Sequence, residues 1–130
     1  MNHAVIDESE KLSFQDTPFP EVVKQLSQTG VRSYYADLIR LEKIYYGDGD
    51  TYAHRLSLGE APPVADQFDE PGIKASIRAV QRGEIGYAKF LRQIMQAGCS
   101  TYAVFLQGRK AIYFGQDGAF HIEHFPDRAP

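Results

Sequence analysis

Shifted by 68 residues, the chain lies on itself: residues 19–47 align with residues 87–115 without a gap. Eight of those 29 positions are identical, namely Gln25/Gln93, Gln28/Gln96, Gly30/Gly98, Tyr34/Tyr102, Leu38/Leu106, Ile44/Ile112, Tyr45/Tyr113 and Gly47/Gly115. Phe19/Tyr87, Val23/Leu91, Lys24/Arg92, Leu26/Ile94 and Tyr46/Phe114 are conservative. Internal repetition constrains a fold strongly, because each copy must be a supersecondary unit that buries its apolar stripe against the other.

The copies share a local grammar. In the first, Phe19, Val22, Val23 and Leu26 recur at i, i+3, i+4 and i+7, one stripe of an amphipathic helix; Tyr87, Phe90, Leu91 and Ile94 repeat it. Thr17 is the expected N-cap of the first of these helices, with Pro18 and Pro20 in its opening turn. Gly30 and Gly98 end the helices as left-handed C′ residues. Tyr34, Ala36 and Leu38 then alternate on one strand face, as do Tyr102, Val104 and Leu106. On the next strand Ile44 and Tyr46, or Ile112 and Phe114, read as the core-facing side, leaving Tyr45 and Tyr113 to point away. The turn clusters "GDGD" and "GQDG" return the chain as a third strand, over 51–56 and 119–125.

A further helix precedes each unit. The spacing of Ile73, Ile77 and Val80 predicts a helix over 71–82 with Asp69 as N-cap, and its counterpart over 3–14 has Val5, Ile6 and Leu12 to bury. The fold class is therefore α+β: an internal duplication of an α-α-β-β-β unit, with an antiparallel sheet and helices packed on one face. One domain of 130 residues holds repeat 1 at about 3–56, a Pro-rich acidic connector at about 57–70, and repeat 2 at about 71–126.

Several segments resemble a known family: "FPEVVKQL", "GVRSYYADL", "AVQRGEI" and "AGCSTYAVFLQGRKAIYFGQDGAFHIEHFP". They are similar to the YbcV/YdfO-like bacterial and prophage domains of unknown function, sometimes labelled phage envelope protein. The resemblance covers about residues 5–126 and is most specific in the C-terminal third. It implies an α+β fold and an association with bacteria and phage-derived genes, and it brings no catalytic residue or cofactor.

Composition closes off several function classes. Fourteen Lys and Arg against 17 Asp and Glu give a net charge of −3, which argues against a nucleic-acid partner held through its phosphates. No apolar run reaches the roughly eighteen residues of a membrane span, and "MNHAVIDESEKL" lacks a signal-peptide pattern, so a cytoplasmic location is expected. Cys99 has no partner for a disulfide, and following a helix C-terminus opposite Val31 it reads as a small buried residue rather than a nucleophile. Asp48 and Asp50 of "YYGDGD" lack the glutamate that a calcium loop needs at its twelfth position, which here is Gly59.

"HIEHF" holds the residues most suggestive of chemistry. On a strand His121 and Glu123 share one face while His124 takes the other, so the histidines diverge, and no metal or other cofactor is expected. At the shift of 68 His121 falls opposite Ala53; one extra residue in the second turn would match it to Tyr52 instead. The leading expectation is a non-enzymatic binding module. Aromatics on the uncovered sheet face, Tyr35, Ile39 and Tyr45 with Ala103, Phe105 and Tyr113, would meet a partner, with a homodimer as one form. The alternative is a small-molecule binder or enzyme in the groove between the halves, using His54, Arg109, Tyr113, His121, Glu123 and His124. A phage-encoded protein that antagonises a host factor shares the first signature.

Overall fold

A computed structural model describes residues 1–126. The elements run α1 (His3–Phe14), α2 (Phe19–Ser27), β1 (Ser33–Asp37), β2 (Glu42–Tyr46), β3 (Thr51–Arg55), α3 (Glu70–Gln81), α4 (Tyr87–Gln96), β4 (Cys99–Phe105), β5 (Lys110–Gly115) and β6 (Phe120–His124). The order α-α-β-β-β thus occurs twice. All strand pairs are antiparallel, in the spatial order β3-β2-β1-β4-β5-β6, so the first strand of each half meets at the centre. The helices cover one face of this sheet, an α+β architecture.

The two halves also repeat individual bonds. Asn2 and Asp69 cap α1 and α3 through their side-chain oxygens, while their own amides donate to Thr29 O and Ala97 O. Leu38 N donates to Ser100 O, and Leu106 N donates to Arg32 O. Ser9 Oγ donates to Gln25 Oε1 and Ser76 Oγ to Gln93 Oε1, each at 3.1 Å, tying the helices of each pair together. The Gln25/Gln93 identity therefore has a physical reason: each glutamine accepts from a buried serine on the neighbouring helix, although Ser76 Oγ also reaches Gly72 O at 3.0 Å. Gly30 and Gly98 both take left-handed backbone (φ 87° and 92°), as a helix stop requires.

The core lies between sheet and helices. Ile6, Val22 and Leu26 from the first helix pair, and Ile73, Ile77, Leu91, Ile94 and Met95 from the second, close over Tyr34, Ala36, Tyr45, Tyr102, Val104 and Tyr113. Here one expectation is corrected. Tyr45 and Tyr113 point into the core, with 1% and 7% exposure, while Ile44, Tyr46, Ile112 and Phe114 share the other face. Register decides it, because Tyr45 stands opposite Tyr34, and Tyr113 opposite Tyr102. "IYY" and "IYF" are apolar in both phases, so alternation alone fits either assignment.

One smaller expectation also changes. Pro18, not Thr17, occupies the N-cap of α2, and no side chain caps that helix; Pro20 in its first turn lacks one of the amides a cap would satisfy. The connector is itself packed: Leu58 is buried in the core, with Ala61, Val64 and Phe68 against it. No helix among the described residues is long and apolar enough to cross a membrane.

Candidate functional site

The uncovered sheet face carries a continuous apolar row. Cross-strand register sets Ala53, Ile44, Tyr35, Ala103, Ile112 and Ile122 side by side, one residue from each of the six strands. Tyr35, at the middle, packs edge-on against Tyr46 (5.4 Å) and Phe105 (6.1 Å). Tyr35, Tyr46, Phe120 and Ile122 are exposed, and Ile44, Phe105, Ile112 and Phe114 are half-exposed. Tyr35 and Phe105 lie where the sequence places them; Ala103 is on the same face but buried, at 1% exposure. Ile39 is exposed at 60%, but in the β1–β2 turn rather than on the strand face. Ile44, Ile112 and Phe114 replace Tyr45 and Tyr113 in the surface.

The polar candidates separate. His54 sits on edge strand β3, with Nδ1 2.8 Å from Arg55 O and Nε2 3.5 Å from Asp7 Oδ1. His121 sits on the opposite edge strand, β6; five strand spacings between the edges amount to about 24 Å. His121 Nδ1 is 2.8 Å from Glu70 Oε2 and its Nε2 is 3.0 Å from Glu123 Oε2, while Arg78 pairs with the other oxygen of Glu123. Burial alone would raise the Glu123 pKa, yet the bonds from Arg78 and His121 outweigh it and hold the carboxyl below its usual range. His121 itself is buried, so the cluster joins β6 to α3 rather than standing on the surface. His124 faces the other way, and Arg109 lies in the β4–β5 turn with Nη2 donating to Pro126 O. Among the described residues no three His, Cys, Asp or Glu side chains converge on a metal position. The extra residue in the second turn is real: Tyr52 opposes Tyr45 as His121 opposes Tyr113.

Glu10 and Lys43 form a charged pair that sequence reasoning missed. Lys43 Nζ donates to Glu10 Oε2 at 3.0 Å, Tyr45 OH donates to the same oxygen at 2.8 Å, and both charged side chains are under 5% exposed. The ammonium also lies 5.0 Å from the Tyr34 ring centroid and 4.6 Å from that of Tyr87. Burial lowers the Lys43 pKa and Glu10 partly offsets this; burial likewise pushes the Tyr34, Tyr45, Tyr87 and Tyr102 phenols up, so they stay protonated. The one available signal was Glu10 one turn after Ile6, a charge on the apolar face of α1. The corresponding residues of the second half are Ile77 and Ala111, so half of the molecule does without this pair. Cys99 is fully buried, and burial pushes its thiol up to about 12, far from nucleophilic at neutral pH.

One groove does run between the halves. It has a volume of about 720 Å³ and lies between α2 and the β4–β5 turn. Phe19, Val23, Val31, Leu106 and Phe125 give it an apolar floor, and Lys24, Arg32 and Arg109 bring three cations to it. Of the polar candidates only Arg109 lines it; the histidines and Glu123 lie outside this groove.

Comparison with known proteins matches most of this architecture, from within α1 to the end of β6, and assigns it no activity. The chain is 27% identical over 108 residues to an uncharacterized protein of Mycobacterium bovis and to uncharacterized proteins of two Mycobacterium tuberculosis strains. Each match covers 82% of this chain but 66% of the relative, so the chain spans just under two thirds of their length. Residues 9–124 match a family model described as a protein of unknown function, DUF1398, and the chain belongs to that family.

Proposed function

We propose that this chain is a non-enzymatic interaction module that works through the open face of its sheet, and that a second copy of the chain is one partner. The row from Ala53 to Ile122 carries the reading. An apolar stripe across six strands is costly to leave in water, and exposed patches of this kind mark contact surfaces. The central Tyr35↔Ala103 pair relates equivalent positions of the two halves, so each side of the row mirrors the other. Such a face suits an isologous contact, in which two sheets pack about 10 Å apart as in a β-sandwich. Scatter of the polar candidates over both sheet edges weighs against chemistry at His54, His121 or Glu123.

The same reading takes the two α-α-β-β-β halves as copies of one ancestral unit and groups the chain with the YbcV/YdfO-like prophage domains, acting in the cytoplasm. The repeated Ser–Gln bonds and caps support the first of these, and the single buried thiol suits a reducing compartment. Light scattering tests the central claim: a dimer mass is expected for the natural chain and a folded monomer for Ile112→Asp. A strict monomer at high concentration, with no binding of an apolar dye, would overturn it.

A further inference from the structure

The groove along α2 has a counterpart along α4, and there the chain fills it with its own connector. Lys24, Val31, Leu106 and Phe125 correspond to Arg92, Cys99, Leu38 and Leu56. Both grooves are entered in the same way: Phe125 N donates to Arg109 O and Leu56 N to Leu41 O, each at 2.9 Å. Arg109 and Leu41 share a left-handed backbone, with φ of 54° and 55°. Beyond that point the connector crosses α4. Arg92 donates to Leu58 O (2.7 Å) and Glu60 O (3.0 Å), Leu58 is buried, and Ala65 N donates to Met95 O. A Cβ on Gly98 would collide with the Gln67 carbonyl, whereas one on Gly30 would meet no described atom within 4 Å.

We propose that the α2 groove is a docking site for an extended, acidic peptide segment of a partner protein, held as the α4 groove holds the connector. Lys24 takes the place of Arg92 and receives the main-chain carbonyls of the segment. An apolar side chain fills the position that Leu58 fills in the other half. The acidic preference follows from charge: Lys24, Arg32 and Arg109 line the groove, and among the described residues no Asp or Glu lines it. At α4 two of those three positions are Ser100 and Leu41, so the α2 groove is the more positive of the two. Arg32 is little engaged, approaching exposed Asp48 only to 3.7 Å. Arg109 gives one donor to Pro126 O at 3.0 Å and rests 5.6 Å from the Phe125 ring centroid, leaving its other donors for a ligand.

The probe is a labelled peptide with the sequence of residues 55–69, which carries Leu58 and the carboxylates of Glu60, Asp66 and Asp69. Titration of the full chain should give saturable fluorescence anisotropy, half-saturating at about 10–500 μM and weakening with salt. Amide shifts in the labelled protein should centre on α2 and residues 106–109. Lys24→Glu should weaken binding about tenfold or more, with an unchanged thermal midpoint, while Ile112→Asp on the sheet face should leave it unaltered. No saturation at about 2 mM peptide, equal affinity in Lys24→Glu, or shifts confined to α4 would each overturn the proposal. Decanoate perturbing α2 where the peptide does not would also overturn it, in favour of a small amphiphile. The sheet face and this groove are probed by different variants, so either reading can fail alone.

Discussion

Lys43 sits under the sheet with one acidic partner and two aromatic rings, and its worth differs from its role. Removing one member of a buried pair strands the other without water, which costs about 3–5 kcal/mol, whereas replacing both with apolar groups is often neutral. Urea denaturation should therefore show Lys43→Met destabilised by about 3–5 kcal/mol. Adding Glu10→Ile, the residue that Ile77 supplies in the other half, should recover part of that loss, the remainder being the Tyr45 hydroxyl that then lacks its carboxylate acceptor. A second residue-scale effect concerns Glu123. Its folded pKa lies below the usual value near 4.5, so it stabilises the fold above that value and loses its contribution as pH falls through the folded pKa. Arg78→Ala should remove under about 1 kcal/mol at pH 7, since the pair is solvent-screened, and the gap from the natural chain should close on acidification. Urea midpoints measured across the acid range decide it. Little of this was readable beforehand: the His121–Glu123 pairing follows from strand alternation, but Glu70 and Arg78 arrive from a helix about fifty residues earlier in the chain.

Helix–helix contacts show that equivalent elements bear similar but unequal loads. Gln25→Ala leaves the buried Ser9 hydroxyl without its acceptor and should cost about 1–2 kcal/mol, whereas Ser76 keeps Gly72 O at 3.0 Å, so Gln93→Ala should cost less. Because the bonds join different helix pairs, the double variant should show the sum in urea denaturation. The helix stops should respond unequally too. Gly30→Ala strains only the backbone, about 1–2 kcal/mol, while Gly98→Ala also drives a Cβ into the connector and should cost clearly more. Thermal midpoints of the two variants will show the difference. Both stops could be read from the alignment of the copies, as could the stripes of α2 and α4; the α1 bounds could be read from the N-terminal residues themselves. The phase of β2 and β5 could not, because "KIYYG" and "AIYFG" put apolar groups on both faces and only pairing with β1 and β4 chooses between them. Nor could the course of the connector, since Leu58 and Val64 stand among Gly, Pro and acidic residues with no periodicity to mark them.

For the molecule as a whole, the β1↔β4 pair joins the halves and leaves β3 and β6 as edges. Under the proposed dimer the open face, not these edges, makes the contact, so Tyr35→Asp should lower the scattering mass to a monomer and keep the far-UV dichroism. The connector has a consequence for chain order. Phe68 packs on Gly115 where Met1 packs on Gly47, and Leu56 bonds Leu41 where Phe125 bonds Arg109. Residues 57–67 therefore span between Leu56 and Phe68, whose equivalents in the other half are Phe125 and Met1. A copy of that eleven-residue segment placed directly between Phe125 and Met1 would run along α2 as the original runs along α4. The backbone would then be a closed loop, and a circular permutant cut within the original connector should rebuild the same six-stranded sheet with the groove exchanged from one helix pair to the other.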